Sequence, residues 1–457
     1  MPPVVVWFRD DLRLSDQAAL RNAVGSGQPI IPLYVLDDET PGAWRKGGAA
    51  RWWLASALER LDDALRALGG RLILRRGRAR DEVVRLMGET GAGEVFVGAG
   101  HEPWTRADDS AIASRLGVGR FRWSRTRSLF EPGQIKTKTG GPFQVFGAFA
   151  RACLAEPAWH APSPAPNRIS FADAPDSDRL VDWGLRPTRP DWADGLRGAW
   201  TGTAAEALER FAAQGLAEYD TGRDAVGHDG TSRLSPYLAS GEISARQVWE
   251  ASLAVPGEGT EALRRELLWR EFSIHQLSHN PALPESPARP AFAAMPWRSD
   301  PAALEAWRRG RTGVPIVDAG MRQLWRTGWM HNRARMIVAS FLTKHLLIDW
   351  RAGQSWFWDT LVDADLANNA ANWQWVAGCG ADAAPYFRVF NPVLQGRKFD
   401  PDGAYVRTWV PELADMPARW IHAPWEAPAT TAGYGPPIVD LGAGRARALA
   451  AFAGLRG

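Results

Sequence analysis

The sequence predicts an α/β domain built on a parallel, Rossmann-like sheet, joined by a long linker to an all-α domain. Short branched apolar runs alternate with helical patterns near the start of the chain, which is the order of elements in a parallel α/β sheet. After about residue 203, helical periodicity continues almost throughout, with stops at Gly and Pro. Residues 155–200 are rich in Pro, Ala and Asp, with little periodicity. We therefore expect an α/β domain at 1–130, an inter-domain linker at 131–202 and a helical domain at 203–457.

Four short apolar runs supply the predicted strands. They are rich in branched and aromatic residues and lie at 4–8, 30–36, 71–75 and 94–98. A helix is predicted at 50–68, between the second and third runs. The GxGxxG fingerprint of dinucleotide-binding sheets does not follow the first strand, where the chain reads WFRDDLRLSDQAAL. This argues against a nicotinamide-dependent enzyme.

Composition excludes several other classes of protein. No apolar run approaches the roughly 18 residues that a membrane span needs, and the chain does not open with a basic and then apolar signal segment. We therefore expect a soluble, cytoplasmic protein without membrane contact. Cys153 and Cys379 are the only cysteines and have neither disulfide-framework nor metal-ligand spacing, so no metal site is expected.

Net charge and aromatic content bear on the kind of molecule that the protein binds. The formal net charge of +3 permits a polyanionic partner without requiring one, and nearly all of the positive charge is arginine, which a GC-rich genome would explain equally well. The 24 tryptophans exceed what a core of this size requires, and most of them fall in the second half of the chain. This excess predicts that indoles have a functional use there.

A hydroxyl-rich helix start lies at 230–244, with the sequence GTSRLSPYLASGEIS. Thr231 and Ser232 precede Ser235, which is predicted as the N-cap of a helix that begins at Pro236. Hydroxyls and free N–H groups at such a start suit a phosphate. Capping alone would also explain Ser235, so the spacing leaves both interpretations open.

The helical segment 261–277 places polar groups beside an indole. Glu266 and Trp269 share a face, and Arg270 lies one turn from Glu266, within reach of an ion pair. A surface ion pair beside a core indole is one interpretation. Because other positions of the helix already supply an apolar stripe, the alternative is that Glu266 and Trp269 face a cavity.

A second helical segment, 329–342, carries polar groups on an otherwise apolar helix. Asn332, Arg335 and Met336 lie about one turn apart. Buried polar groups need partners, and Asp363 or Asp365 is the expected partner. An EF-hand at this Asp-x-Asp is excluded, since the loop lacks the turn glycine and the closing glutamate.

These segments, in this order, resemble the cryptochrome/photolyase family. The resemblance covers essentially the whole chain and is closest to bacterial photolyases that act on cyclobutane pyrimidine dimers. The matching segments are VVWFRDDLRLSDQAAL, GTSRLSPYL, ELLWREF, TGVPIVDAGMRQL, GWMHNRARM, DADLANNAANWQW and PYFRVFNP. The resemblance implies a U-shaped FAD in the helical domain and light-driven splitting of a flipped-out dimer by an electron from excited, reduced FAD.

The resemblance also assigns residues to the cofactor. Arg335 and Asp363 would form an ion pair over the flavin, Asp365 would hold the polar edge of the ring, and Asn369 would face its redox-active nitrogen. The expected FAD contacts are Tyr219, Thr231, Ser232, Leu234, Ser235, Arg270, Asn332, Arg335, Asp363, Asp365 and Asn369.

Two further groups of residues follow from the resemblance. Glu266 would donate to a carbonyl of the dimer as charge develops, and the relay that reduces the flavin would run outward from Trp373 through Trp350 to Trp297. With Asn369, these residues form the expected catalytic set. The expected lesion pocket consists of Glu266, Trp269, Asn332, Met336 and Trp375.

Several alternatives stay open at the level of sequence. Asn332 and Met336 stand where (6-4) photolyases carry histidines, which favours a cyclobutane dimer. The main alternative is a cryptochrome-type blue-light receptor without repair activity, against which Asn369 argues because many cryptochromes carry Asp or Cys there. DNA containing pyrimidine dimers, single- or double-stranded, is the expected partner of a monomeric protein. A second, antenna chromophore could be methenyltetrahydrofolate, a deazaflavin or none.

Overall fold

The computed structural model describes residues 1–157, 161–383, 387–428 and 433–455. Its first part is a five-stranded parallel sheet, and the described residues beyond it are almost entirely helical and irregular. Pro385 and Tyr386, which begin the segment PYFRVFNP, lie outside the described residues. The predicted fold class is confirmed. The strands are β1 (Val4–Phe8), β2 (Ile30–Leu36), β3 (Ile73–Arg76), β4 (Glu94–Gly98) and β5 (Phe121–Ser124).

The sheet has the order β3-β2-β1-β4-β5, so β1 lies at its centre. Every residue of β1 is buried because helices cover both faces. Alternate side chains enter two different cores: Val4, Val6 and Phe8 pack on one face and Val5 and Trp7 on the other. The helices around the sheet are α1 (Ala18–Gly25), α2 (Gly48–Ala67), α3 (Ala79–Thr90) and α4 (Pro103–Leu116).

Strand β5 is an element that the sequence analysis missed. It pairs with β4 only, at the edge of the sheet, and its two middle residues, Arg122 and Trp123, are exposed. An edge strand with a charged residue and only four positions has no apolar run to reveal it.

The segment predicted as a linker contains ordered helices. These are α5 (Phe146–Leu154) and α6 (Asp194–Ala199). The ring of Phe149 on α5 packs against Phe272, with ring centroids 5.3 Å apart. Part of the segment 131–202 is therefore packed into the helical core, while the domain bounds themselves stay a prediction.

The helical region supplies the walls of the site described below. Helix α14 continues into a π-helical turn at Phe341–His345. Among the described residues, no helix is both long enough and apolar enough to cross a membrane. The helices are α7 (Ala204–Gln214), α8 (Tyr219–Gly222), α9 (Ser235–Ser240), α10 (Ala245–Leu253), α11 (Glu258–His279), α12 (Pro301–Arg308), α13 (Pro315–Thr327), α14 (Asn332–Ser340), α15 (Trp350–Thr360), α16 (Leu366–Ala377), α17 (Pro392–Phe399), α18 (Ala404–Trp409) and α19 (Leu441–Ala453).

Buried polar contacts join the sheet to the helical region. Asp16, whose side chain is almost wholly buried, accepts a hydrogen bond of 2.6 Å from the Ser244 hydroxyl and one of 3.1 Å from Arg246 Nε. Arg13 donates to the carbonyl of Gly241 at 2.9 Å. A buried charge held by several partners fixes geometry, so these contacts tie the two regions together.

Candidate active site

A cavity of about 550 Å³ opens between α9, α11, α14 and α16. This volume lies within the usual range of cofactor and ligand sites. Of the residues predicted for the site, only Trp350 and Trp297 lie outside its lining. The predicted residues that line it are Tyr219, Thr231, Ser232, Leu234, Ser235, Glu266, Trp269, Arg270, Asn332, Arg335, Met336, Asp363, Asp365, Asn369, Trp373 and Trp375.

The hydroxyl-rich segment borders the cavity, but the prediction for Ser235 was wrong. The N-cap of α9 is Leu234, which already has helical dihedral angles, so Ser235 lies inside the first turn. Its hydroxyl donates to Asp363 Oδ2 at 2.6 Å instead of capping the helix. The buried hydroxyl oxygen of Thr231 has no hydrogen-bond partner among the described residues. A buried, unpaired hydroxyl in the lining fits a polar ligand group such as a cofactor phosphate.

An ion pair lies on the cavity wall between α14 and the loop before α16. Arg335 contacts Asp363 through two parallel bonds, from Nη1 to Oδ1 at 3.2 Å and from Nη2 to Oδ2 at 2.7 Å. The Asp363 side chain is 2% exposed. Of the two aspartates that the sequence offered, the structure therefore selects Asp363 as the partner of Arg335.

Asp365 has two different contacts. Its Oδ1 accepts the backbone N–H of Asn368 at 2.8 Å and so caps α16. Its Oδ2 lies 3.6 Å from Arg127, a buried arginine contributed by the loop after β5. Helix α16 ends at Gly378, whose φ of 92° lies in the left-handed region that glycine adopts without strain. These contacts set the position of Asn369, Trp373 and Trp375 along the cavity.

Arg127 links the α/β domain to the cavity. It donates to both oxygens of Glu102, at 2.8 and 3.0 Å, and lies 3.8 Å from Asp10. Burial favours a higher pKa for Glu102, but the charges of Arg127 and His101 outweigh it and hold the pKa below its ordinary value. The Glu102 carboxylate is therefore ionised and binds Arg127 beside Asp365.

The ion pair between Glu266 and Arg270, one of the two interpretations of this helix, is not formed. Glu266 Oε1 accepts a bond of 2.6 Å from Arg223. Arg270 Nη1 instead donates to the Arg127 carbonyl at 2.9 Å and lies 3.2 Å from Glu271. Because the buried Glu271 carboxylate and a backbone carbonyl compete for Arg270, helical spacing alone gave the wrong partner.

The residues expected to bind a lesion all line the cavity. Trp269 and Glu266 project from α11, Asn332 and Met336 from α14, and Trp375 from α16. Trp269 and Trp375 are each partly exposed, as a stacking platform must be. The Trp375 Nε1 donates to the carbonyl of Asp382 at 3.1 Å.

Asn369 and Trp373 lie on the opposite part of α16. The Asn369 side-chain amide donates to the Gln354 carbonyl at 3.0 Å, which fixes its orientation in the cavity wall. Trp373 is buried, with Phe357 packed edge-on at 5.0 Å. Gly353 lies against the Trp373 indole, where a Cβ atom would overlap the ring. The backbone of α15 can thus approach Trp373 directly.

The two outer members of the expected relay have different environments. Trp350, at the start of α15, is 1% exposed, and Trp297 is partly exposed. Trp373 also has a ring contact with Trp307 at 6.2 Å. Trp373 lines the cavity, Trp350 is the most buried of the three, and Trp297 is the only one that is partly exposed, while the relay itself stays a prediction.

A second, smaller cavity of about 130 Å³ lies where the strands of the sheet end. Residues that follow β1, β2 and β4 meet there, including Asp10, Asp38 and Trp104, together with Asp365 from the loop before α16. Ligands of open α/β sheets bind in this crevice, outside the carboxyl ends of the strands.

Among the described residues, no group of three or more His, Cys, Asp or Glu side chains could hold a metal ion.

Comparison with known proteins identifies the family. The family model described as DNA photolyase matches residues 4–167, and the model described as the FAD binding domain of DNA photolyase matches residues 263–454. The deoxyribodipyrimidine photo-lyase of Agrobacterium fabrum is 47% identical over 99% of this chain and 98% of its own length. The chain belongs to the cryptochrome/photolyase family. It is an enzyme of the photolyase type and has a FAD-binding domain.

Other relatives place the chain within the family. The crystal structure of a bacterial class III photolyase from Agrobacterium tumefaciens superposes with a TM-score of 0.95 at 47% identity, covering 100% of this chain and 98% of that one. Cryptochrome-1 of Arabidopsis thaliana is 37% identical over 97% of this chain and 69% of its own length. The chain is thus more similar to these photolyases than to this cryptochrome.

Several photolyase site residues escaped the sequence analysis. Arg223 and Trp329 both line the cavity. Trp329 is almost buried and donates to the Ser235 hydroxyl at 3.3 Å, while Arg223 pairs with Glu266. Trp329 begins the segment already chosen for its polar helix, so its position gave a usable signal. Arg223 precedes Glu266 by 43 positions and gave none.

Proposed function

We propose that this photolyase repairs cyclobutane pyrimidine dimers in DNA, using light and an electron delivered from FAD to a lesion that is flipped into the cavity. One observation carries the proposal. A single cavity is lined both by a bidentate Arg335–Asp363 pair with the unpaired Thr231 hydroxyl and by Trp269, Trp375 and Glu266. The first group suits a flavin nucleotide, and the second group, called the lesion wall below, suits an extruded pair of bases.

The residues around Thr231 and Asp363 would hold the cofactor. The Thr231 and Ser232 hydroxyls suit its phosphates, and the Arg335–Asp363 pair supplies a fixed, planar, charged surface beside a ring. Asn369 and Asp365 present polar side chains from the start of α16. Bound, reduced FAD supplies the light-driven electron, and the protein contributes position and electrostatics.

The lesion wall supplies what an extruded dimer loses. A nucleotide flipped from the duplex loses stacking worth a few kcal/mol, and an aromatic platform returns about 1–3 kcal/mol for each base. Trp269 and Trp375 are the two indoles of this wall. Glu266 accepts a bond from Arg223, so it can donate to a carbonyl of the dimer only after it leaves that arginine and takes up a proton.

Positive side chains border the same cavity. Arg223, Arg233 and Arg333 all line it, and Arg333 pairs with Asp224 through two bonds of 2.8 Å. Each phosphate that such an arginine neutralises releases counterions, so DNA affinity should fall steeply with salt. These contacts would position the duplex without reading its sequence.

The deciding experiment measures loss of dimers. Chemically reduced, FAD-loaded protein is mixed with a DNA duplex that contains one thymine dimer, and the dimer is counted after blue light and after darkness. Light-dependent loss supports the proposal. If the oxidised protein photoreduces its FAD but the reduced protein removes no dimer in the light, the proposal is contradicted and a blue-light receptor is favoured.

The indoles provide a second test of the same proposal. Trp269→Ala should weaken binding to damaged duplex by about tenfold or more and leave binding to intact duplex nearly unchanged, because stacking is lost only for the flipped bases. Affinities are measured in the dark at two salt concentrations. Equal weakening for both duplexes would show that Trp269 does not read the lesion.

The second cavity is where we place an antenna chromophore. Its position at the carboxyl ends of the strands, its aromatic residue Trp104 and its shared residue Asp365 support this assignment. The absorption spectrum of purified protein, with mass spectrometry of what heat releases, separates folate, deazaflavin and FAD alone. Trp104→Ala should then remove only the second chromophore. Its retention would contradict this location.

A further inference from the structure

The two indoles of the lesion wall are both connected to one chain segment, 143–146, that does not line the cavity. The ring of Phe146, the first residue of α5, stacks flat on Trp269 with centroids 3.6 Å apart and an angle of 7° between the planes. Phe146 is buried, whereas Trp269 lines the cavity. One face of the Trp269 indole is therefore covered by Phe146, which prevents the indole from turning away from the cavity.

Trp375 is connected to the same segment through Asp382. The Trp375 Nε1 donates to the Asp382 carbonyl at 3.1 Å, and the Asp382 N–H donates to the Gln144 carbonyl at 3.1 Å. The backbone N–H of Phe146 lies close enough to the Asp382 carboxylate to favour its charged form, although burial raises the pKa of that carboxyl overall. Asp382 has a φ of 50°, a left-handed conformation that persists where surrounding contacts hold it.

The segment 143–146 is itself fixed to α11. The Phe143 N–H donates to His275 Nε2 at 3.0 Å, and Gln276 Nε2 donates to the Phe143 carbonyl at 2.8 Å. Both partners lie on the helix that carries Trp269. The segment thus has fixed contacts to the helix of one indole and, through Asp382, to the side chain of the other.

We propose that Phe146 and Asp382 are positioning residues for lesion recognition, which set the separation and tilt of Trp269 and Trp375. This inference rests on the proposed function, because it assumes that the two indoles bracket a flipped dimer. Neither Phe146 nor Asp382 lines the cavity, so neither is expected to touch the lesion. Their effect is to limit the rotations of two side chains before DNA binds, which lowers the ordering cost of binding.

The main test removes the stacked ring. Phe146→Leu leaves Trp269 in place but opens space behind it, and affinity for a duplex with one thymine dimer should fall roughly tenfold, comparable to the loss of one base–indole stack. Affinity for intact duplex and FAD content should not change. Phe146→Tyr keeps a ring of the same shape and should restore dimer affinity to within about twofold of wild type.

Phe149→Leu is the matched control. Phe149 lies one turn further along α5, is equally buried, and packs on Phe272 and His275. The same substitution there disturbs the same helix and should leave the affinity for damaged duplex within about twofold. If Phe149→Leu and Phe146→Leu weaken dimer binding equally, the effect belongs to the packing of α5 and the inference is wrong.

Two further measurements separate positioning from general stability. In a Trp269→Leu background, Phe146→Leu should cause less than about a twofold further loss, because the side chain that it positions is gone. Full additivity of the two losses would overturn the inference. Asp382→Gly tolerates the same φ but removes the carboxylate beside the Phe146 N–H, so it should weaken dimer binding in the same direction, while Asp382→Asn keeps an acceptor there and should restore it.

The wild-type protein distinguishes the two levels of failure. If it binds damaged and intact duplex equally, the proposed function and this inference both fail. If the wild-type protein instead prefers damaged duplex, Trp269→Ala independently tests whether that preference depends on the indole. If Phe146→Leu and Asp382→Gly both keep the wild-type preference, only the inference fails.

Discussion

Asp363→Ala tests the pair on which the cofactor assignment depends. Asp363 is almost wholly buried and accepts bonds from two nitrogens of Arg335 and from the Ser235 hydroxyl. Removing one partner of a buried ion pair costs about 3–5 kcal/mol. The Arg335 side chain is 24% exposed. Its Nε also keeps a bond of 2.7 Å to the Met330 carbonyl, so part of its charge stays solvated or bonded. We expect a fall of about 2–3 kcal/mol in the free energy of unfolding.

The same substitution should weaken FAD binding. Loss of the fixed charged surface beside the ring should lower the affinity about 10- to 100-fold, which corresponds to roughly 1.4–2.8 kcal/mol. FAD occupancy is read from the ratio of flavin to protein absorbance, and affinity from titration of apoprotein. Full FAD retention with unchanged stability in Asp363→Ala would refute the assignment.

Asp318→Ala is the control for this experiment. Asp318 is another fully buried carboxylate, which accepts bonds from Thr312, Gly313 and Tyr434 and lies outside the lining of the cavity. It should destabilise the protein by a similar or larger amount and leave the FAD affinity of the folded protein unchanged. If both variants lost FAD equally, the loss would follow from stability and not from the pair.

Three other predictions address electron transfer, catalysis and pH. Trp373→Phe should nearly abolish light-driven reduction of bound FAD, yet the chemically reduced variant should still split dimers; photoreduction at the wild-type rate would exclude Trp373 as first donor. Glu266→Ala should lower the quantum yield of repair by more than it lowers binding, and Glu266→Gln should be mild because it keeps a donor; an unchanged yield in the alanine variant would refute this role. Burial lowers the pKa of His331 to about 4. As pH falls below about 6.5, the His331 imidazole of the unfolded chain binds a proton that the folded protein does not bind. Protonation of His331 in the unfolded chain therefore lowers the free energy of unfolding by about 2 kcal/mol at pH 5. His331→Asn keeps an acceptor at the start of α14 but does not titrate, so its unfolding free energy should fall less than that of wild type between pH 7 and pH 5; equal falls would contradict the assignment.

The central strands of the sheet are predictable because burial on both faces requires an almost wholly apolar sequence. Strands β1, β2 and β4 were predicted with the bounds that the structure shows, since a parallel strand covered on both faces must be a continuous apolar run. The predicted third strand at 71–75 lies at Ile73–Arg76, and its last two residues are charged and partly exposed. The edge strand β5 carries no such run and was missed. Predictability thus falls from the centre of the sheet to its edges, as burial does.

The site is predictable in its residue types and much less so in its pairings. Nearly all of the side chains expected from the family segments line one cavity, because matching segments occupy matching positions in the fold. The hydrogen-bond partners of these side chains were harder to predict. The i, i+4 spacing offered Arg270 as one partner for Glu266, but the structure gives Arg223 from a distant segment. Helical spacing describes which neighbours are available, and competition with buried carboxylates such as Glu271 decides which of them bind.

Asp365 shows why the remaining contacts need the folded chain. Its Oδ1 accepts the backbone N–H of Asn368 and so caps α16, a contact between neighbours in sequence. Its other oxygen faces Arg127, which lies in the loop after the strand that the sequence did not reveal. Arg127 remains beside it because Glu102, from the end of the preceding strand–helix connection, binds the guanidinium bidentately. The contact between Asp365 and Arg127 therefore depends on the sheet order β1-β4-β5, which places the loop after β5 beside the start of α16. That order is a property of the tertiary structure, and no local sequence pattern around Asp365 contains it.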